Sequence, residues 1–240
     1  MKAWTIQWYP FWQNLKKQGE ITNIPEFWDD FYNEEGKSFY NNNYLWLMDQ
    51  MEKRGLKKPQ KFSYPIYFWV QWQDKRKKKP DLRRYVWYAQ KDMPYVRIEC
   101  DIPEEKILLF NHDNWCRTFQ NGYLANSIED YDKYWENLKN NKSLITFQYP
   151  LKIGKFYEQQ LKIIKSWEKI FDLDYNVPDD SIDPKKRDEQ RIIGTTWKIE
   201  LDWVTDVTYF MGRNENNYSW KIPEKIKKKH MFQINHFRKK

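Results

Sequence analysis

Aromatic residues constrain this chain more than any other feature: fourteen Trp, seventeen Tyr and fourteen Phe stand among 240 residues. Each ring buries a large apolar area. They offset a hydrophobic content of 40% against 32% charged residues. The expectation is a folded chain with a dense aromatic core, not a disordered one. The same rings can stack on bases or on a nicotinamide or adenine ring, so their placement bears on function too.

The rings recur at the periods of regular structure. Residues 4–9 read as a strand. Pro10 then starts a helix with Phe11, Trp12 and Leu15 on one face and Gly19 at its end. Pro25 opens a second helical turn through Phe27, Trp28, Phe31 and Tyr32. Tyr44, Leu47, Met48 and Met51 recur at helical spacing up to Lys53-Arg54-Gly55. Residues 64–72 are almost wholly apolar and read as a central strand buried on both faces, with a stacking platform as the alternative. Residues 85–88 resume a strand. Val96, Ile98 and Cys100 alternate with Arg97, Glu99 and Asp101, and an apolar strand follows at 107–110. Asn111–Asn114 caps a helical turn, and Ser127 with Asp130 forms a capping box. A longer helix is expected over 154–171. A final hairpin pairs the alternating run from Thr195 to Asp202 with 204–210. The sum is a single α+β domain over 1–218, with a mixed or antiparallel sheet and packed helices. Within it, 172–190 is expected to be a polar, mobile loop, and 219–240 a basic tail.

The formal net charge of +8 is localised. Residues 221–240 hold eight Lys or Arg against Glu224. A second block, from Lys75 to Arg84, carries seven cations against Asp81. Lys77, Lys78, Lys79, Arg84 and the tail residues Lys227, Lys228 and Lys229 are therefore the candidates for holding phosphates of DNA or RNA. Such blocks also serve as solvated, solubilising ends or as docking sites for an acidic protein.

Catalytic motifs are scarce. The chain has seven glycines and no Gly-rich phosphate loop. No Gly-x-Ser-x-Gly occurs. The three histidines, His112, His230 and His236, lack ligand partners at metal spacing, so no metal is expected. Cys100 and Cys116 are expected to be reduced thiols in a cytoplasmic protein. His112 stands close to Cys116 in sequence, which is a weak signal. No apolar run approaches the length of a membrane span. Lys79-Pro80-Asp81-Leu82-Arg83 places an acid and a base beside a stiff residue. It reads either as a cleft segment or as an exposed Asp–Arg pair.

Two resemblances add to this. Trp4-Thr5-Ile6-Gln7, the helix at 44–51, Tyr64-Pro65-Ile66, 79–83, the strands from Val96 to Phe110, Asp113-x-Trp115 and Trp197 occur in an order that resembles an uncharacterised bacterial family, a domain of unknown function whose members open with a Trp-Thr-Ile-Gln strand. The order of elements is also similar to DarT-like ADP-ribosyltransferases, which modify nucleic-acid bases using NAD. That second resemblance implies an NAD site with Thr5, Gln7, Gln71 and Trp72 on the cofactor. It implies Arg83 on a phosphate, with Asp113 or Glu200 orienting the ribose or stabilising an oxocarbenium-like centre. The competing expectations are a non-catalytic nucleic-acid-binding protein and a partner-binding component of a toxin–antitoxin or phage-defence system.

Overall fold

In the computed structural model the described residues are 1–23, 41–59, 64–85, 89–119, 121–178 and 184–213. The helical turn expected from Pro25 and the basic tail at 219–240 lie outside them. The chain opens with β1 (Lys2–Trp8), which runs straight into α1 (Tyr9–Gln18). Pro10 fits the first turn of α1 because its missing N–H would have no partner there. Gly19 ends the helix at φ 79°, and its N–H bonds Leu15 O at 2.9 Å. That left-handed conformation favours glycine. Then follow β2 (Glu20–Thr22), α2 (Asn41–Lys53), β3 (Ile66–Gln71), the single turn α3 (Leu82–Tyr85), β4 (Pro94–Asp101) and β5 (Leu108–Asn111). The second half holds α4 (His112–Thr118), α5 (Ile128–Asn140), α6 (Tyr157–Ser166), β6 (Ile192–Thr196), β7 (Lys198–Glu200) and β8 (Val204–Met211).

Six strands form one sheet in the order β5-β6-β3-β1-β4-β8, and β2 pairs with β7 in a small second sheet. Every pairing is antiparallel, which settles the expected choice between a mixed and an antiparallel sheet. The fold is α+β in one domain, with helices packed on the large sheet.

The register of β1 on β4 assigns the two faces. Ala3, Thr5 and Gln7 stand opposite Cys100, Ile98 and Val96. Directly opposed residues point to the same side. That side packs with Phe11, Trp12 and Leu15 of α1 and with Ile66 and Phe68 of β3. The other face carries Trp4, Trp69, Ile193 and Phe110. Its β5-β6-β3 half is covered by a second core that includes Trp46 of α2, Trp115 of α4, Ile163 and Ile164 of α6, and Trp167. Ser127 caps α5 by accepting from Asp130 N, as the sequence signature required.

Three expectations need correction. The terminal hairpin does not form. β6 has both edges filled, by β3 and β5, so β8 has no edge to return to. The chain instead breaks at Trp197, whose Nε1 donates to Leu56 O at 2.6 Å, and passes through β7 and a 3-10 turn at Leu201–Trp203. β8 then pairs with β4 at the far edge. Tyr85, where a strand was expected to resume, ends a helical turn that Asp81 caps through Arg83 N at 3.0 Å, and 86–88 of that expected strand lie outside the described residues. The helix over 154–171 is shorter: α6 stops at Ser166, and 167–171 tightens to a 3-10 helix around the buried Trp167.

Trp167 is fully buried, meets Trp46 edge-on with ring centroids 5.5 Å apart, and donates to Gly122 O at 2.8 Å. Trp167→Ala is expected to lower unfolding free energy by about 3–5 kcal/mol through cavity formation, measured by chemical denaturation.

Candidate nucleic-acid interface

β3 ends in a tight reversal. Trp72 N donates to Lys78 O at 3.0 Å and Gln73 N to Lys77 O at 3.1 Å. Asp74 closes the turn by accepting from the backbone N–H groups of Arg76 and Lys77 at 2.7 and 2.9 Å. The backbone thus holds Lys75, Arg76, Lys77 and Lys78 together at the surface, all exposed, with one nearby carboxylate committed to the turn.

A second cationic segment lies against this reversal. Lys75 N donates to Asp188 O at 2.7 Å, and Lys75 Nζ pairs with the Asp188 carboxylate at 3.0 Å. This brings exposed Lys185, Lys186 and Arg187 beside Arg76, Lys77 and Lys78. The segment is pinned from beneath by buried amides. Gln71 Nε2 donates to the carbonyls of Arg187, Asp188 and Gln190 at 3.1, 3.0 and 2.7 Å. Gln190 accepts from Asn111 Nδ2 at 2.7 Å and donates to Asn176 and to Lys185 O. Asn111 Oδ1 caps α4 through Asn114 N, and Asn114 donates to Tyr175 O. Buried amides are stable only when their donors and acceptors are used. Here they convert a polar stretch into a fixed ledge. The expected mobile loop at 172–190 is therefore hydrogen-bonded at both flanks, and residues 179–183 lie outside the described ones.

An aromatic floor runs beside the ledge. Trp69 and Trp72 meet edge-on with centroids 4.5 Å apart, and His112 lies against Trp69 at 4.7 Å. Both tryptophans are half-buried.

Asp113 stands at the α4 end of the ledge. Its carboxylate pairs with Arg191, lies 3.2 Å from His112 Nδ1 and 3.5 Å from Lys185 Nζ. Burial opposes its charge, but the bonds from His112 and Arg191 outweigh burial and hold the carboxyl well below the usual range.

The other candidates from the sequence fall elsewhere. Thr5 and Gln7 point to the α1 face, where Gln7 Nε2 donates to Thr5 Oγ1 at 2.9 Å. Glu200 lies in β7, paired with Lys198 at 3.1 Å. Arg83 is 91% exposed in its side chain and grips Asp81 at 2.7 Å, the surface-pair reading of that segment. Lys79 turns back to Glu99 at 3.2 Å and Asp206 at 3.8 Å. Arg84 is exposed, and 227–229 lie outside the described residues. The structure thus gathers Gln71, Trp72, Lys77, Lys78 and Asp113. It does not bring Thr5, Gln7 or Glu200 to them.

Lys185, Lys186, Arg187 and Arg191 were missed. Acids in the same stretch hide them in any charge count. A run of three cations directly after Pro184 was the available signal.

A surface cavity of about 220 Å³ lies away from the ledge, lined by Lys57, Lys106, Trp197 and Trp203 among others. None of the sequence candidates lines it. Among the described residues, no group of three or more His, Cys, Asp or Glu could hold a metal ion, and no helix is long and apolar enough to cross a membrane.

An antiparallel α+β domain with a basic ledge is the class that the fold and surface define. The chain belongs to the family described as a domain of unknown function, DUF3841, whose model matches residues 2–205. No curated protein and no solved structure matches the chain.

Glu99 anchors the neighbouring face, accepting from Trp4 Nε1 at 2.8 Å and pairing with Lys2 at 2.8 Å and Lys79. The bond from Lys2 leads in holding its carboxyl at about 2, below an ordinary 4.5. A carboxylate lowered on folding contributes stability that is complete above its unfolded value, about 4.5, and lost as pH falls toward 2. Glu99→Gln is expected to lower stability at neutral pH and to flatten this part of the acid limb, measured by urea denaturation at stepped pH.

Proposed function

We propose that the chain binds nucleic acid through the ledge formed by 75–78 and 184–187. One observation carries this: the bond between Lys75 N and Asp188 O joins two cationic segments from distant parts of the sequence on one surface. Clustered Lys and Arg attract a phosphate backbone by releasing its condensed counterions. Arg76, Lys77 and Lys78 make no ion pair among the described residues, so binding phosphate breaks no bond of theirs. The partly exposed rings of Trp69 and Trp72 border the cations and offer apolar surface to an unstacked base. Lys185 and Arg191 stand at the ledge's end on Asp113, which lowers their value as phosphate ligands.

Transfer of ADP-ribose from NAD is the weaker reading. It needs Thr5, Gln7 and a carboxylate at one cleft. Thr5 and Gln7 lie on the α1 face, whereas Asp113 stands in the second core's region and Glu200 in the small sheet.

The test is oligonucleotide affinity across a salt series. Binding is expected to weaken linearly on logarithmic axes as salt rises. Replacing Arg76, Lys77 and Lys186 together by Glu is expected to reduce affinity about tenfold or more and to shrink the salt slope by roughly one for each phosphate no longer neutralised. Lys139→Glu on α5 is the control. Salt-independent binding, or equal weakening in the control, would count against the ledge.

A further inference from the structure

We propose that Cys116 is a reactive thiol, with His112 as its base and Asp113 as the group that orients the base, and that it exchanges with small anionic disulfides. The inference stands whether or not the ledge binds nucleic acid. His112 and Cys116 are four residues apart on α4 and so share a helix face. The sulfur lies 3.7 Å from His112 Nε2 and 3.9 Å from Nδ1. Asp113 Oδ1 lies 3.2 Å from Nδ1. That carboxylate favours the tautomer with its proton on Nδ1, which leaves Nε2 to accept the thiol proton. Nucleophile, base and orienting group are thus in sequence. Trp69 lies against the imidazole at 4.7 Å and restricts its rotation.

Accessibility separates the chain's two thiols. Cys116 is exposed, whereas Cys100 is fully buried on the α1 face, where burial pushes it up to about 12. With no third cysteine in the sequence, a disulfide at Cys116 must be made with an outside sulfur.

The groups facing the sulfur decide how it reacts and with what. Cys116 is exposed as a residue, but the groups packed around its sulfur partly desolvate it, and this and then Asp113 raise the thiol, while Arg191 opposes them. Resting thiolate is therefore scarce, and reaction near neutral pH depends on proton removal by His112. Arg191 and Lys185 are committed to Asp113, and the exposed Lys186 and Arg187 that follow Lys185 on the ledge supply the positive potential that draws a molecule bearing carboxylates. In the exchange His112 takes the thiol proton and the Cys116 sulfur attacks one sulfur of the disulfide. The new S–S bond forms as the old one breaks, and the departing thiolate takes the proton from His112. Cys116 is oxidised, and the small disulfide is reduced to one free thiol and one half bound to the protein.

The experiment incubates the full chain with glutathione disulfide, or with the cationic disulfide cystamine, and follows mass and rate. One glutathione is expected per chain, on Cys116, removable by dithiothreitol and absent in Cys116→Ser. His112→Gln is expected to slow the reaction about a hundredfold at neutral pH, the low side of what a positioned base contributes. The two rates should converge at high pH, where hydroxide replaces the base. Faster reaction with glutathione disulfide than with cystamine is measured on the wild-type chain alone, so it holds or fails even if a variant does not fold. Modification of Cys100, no modification, equal rates with His112→Gln near neutrality, or a preference for cystamine would overturn the proposal.

Discussion

β1 has both of its edges paired, to β3 on one side and to β4 along its whole length on the other. Everything else is arranged around that ladder. Because side chains alternate across a strand, a slip of one residue would exchange the faces. Trp4, Ile6 and Trp8 would turn toward α1, and Ala3 and Thr5 toward the second core. Ala3 and Thr5 are small enough to let the rings of α1 approach the sheet. The bulk of Trp4 is matched on the opposite face by Glu99, which accepts its indole N–H. The register is thus held by volume on one side and by a hydrogen bond on the other.

The ledge is the second construction that rests on this sheet. β3 and β6 are neighbours, so the segment that follows β3 and the segment that precedes β6 leave the sheet at the same end. Both are cationic there, and like charges repel. The conflict is resolved by the backbone and by buried amides. Gln71 alone commits its amide to three carbonyls of the approaching segment. Partial satisfaction of such a network would leave buried polar groups unpaired, which is more costly than having none. Arg76, Lys77, Lys78, Lys186 and Arg187 are held near one another by this polar scaffold, and the pairing of Lys75 with Asp188 adds an ion pair between the two segments.

α4 links the ledge to the cluster of His112, Asp113 and Cys116. Asn111 caps it, and the same side chain donates to Gln190 in the amide network. His112, Asp113 and Cys116 follow on its first turns. Asp113 is tied to both sides: to the helix through His112, and to the ledge through Arg191 and Lys185. The thiol and the cations therefore share one rigid support.

The sequence by itself determined what depends on near neighbours. Gly19 ended α1 because a left-handed turn favours it, Ser127 capped α5, and the alternation of Val96, Ile98 and Cys100 marked β4 and its buried face. The aromatic run at 64–72 also named a central strand, since both its faces are covered. The Asp81–Arg83 pair was legible as a surface contact. The tertiary structure alone decided which strands pair. Alternation tells a strand which face to bury and nothing about which neighbour it takes, so 195–202 and 204–210 read as a hairpin, whereas β7 pairs with β2 and β8 with β4. Gln71, a cofactor contact in the resemblance, commits its amide to three carbonyls of the segment before β6, which no local pattern signals. The polar stretch after Asp172 read as a loop and became half of the candidate site. Charge and polarity are local properties of a chain, whereas the bond from Lys75 to Asp188 spans 113 residues and exists only once β3 and β6 lie side by side.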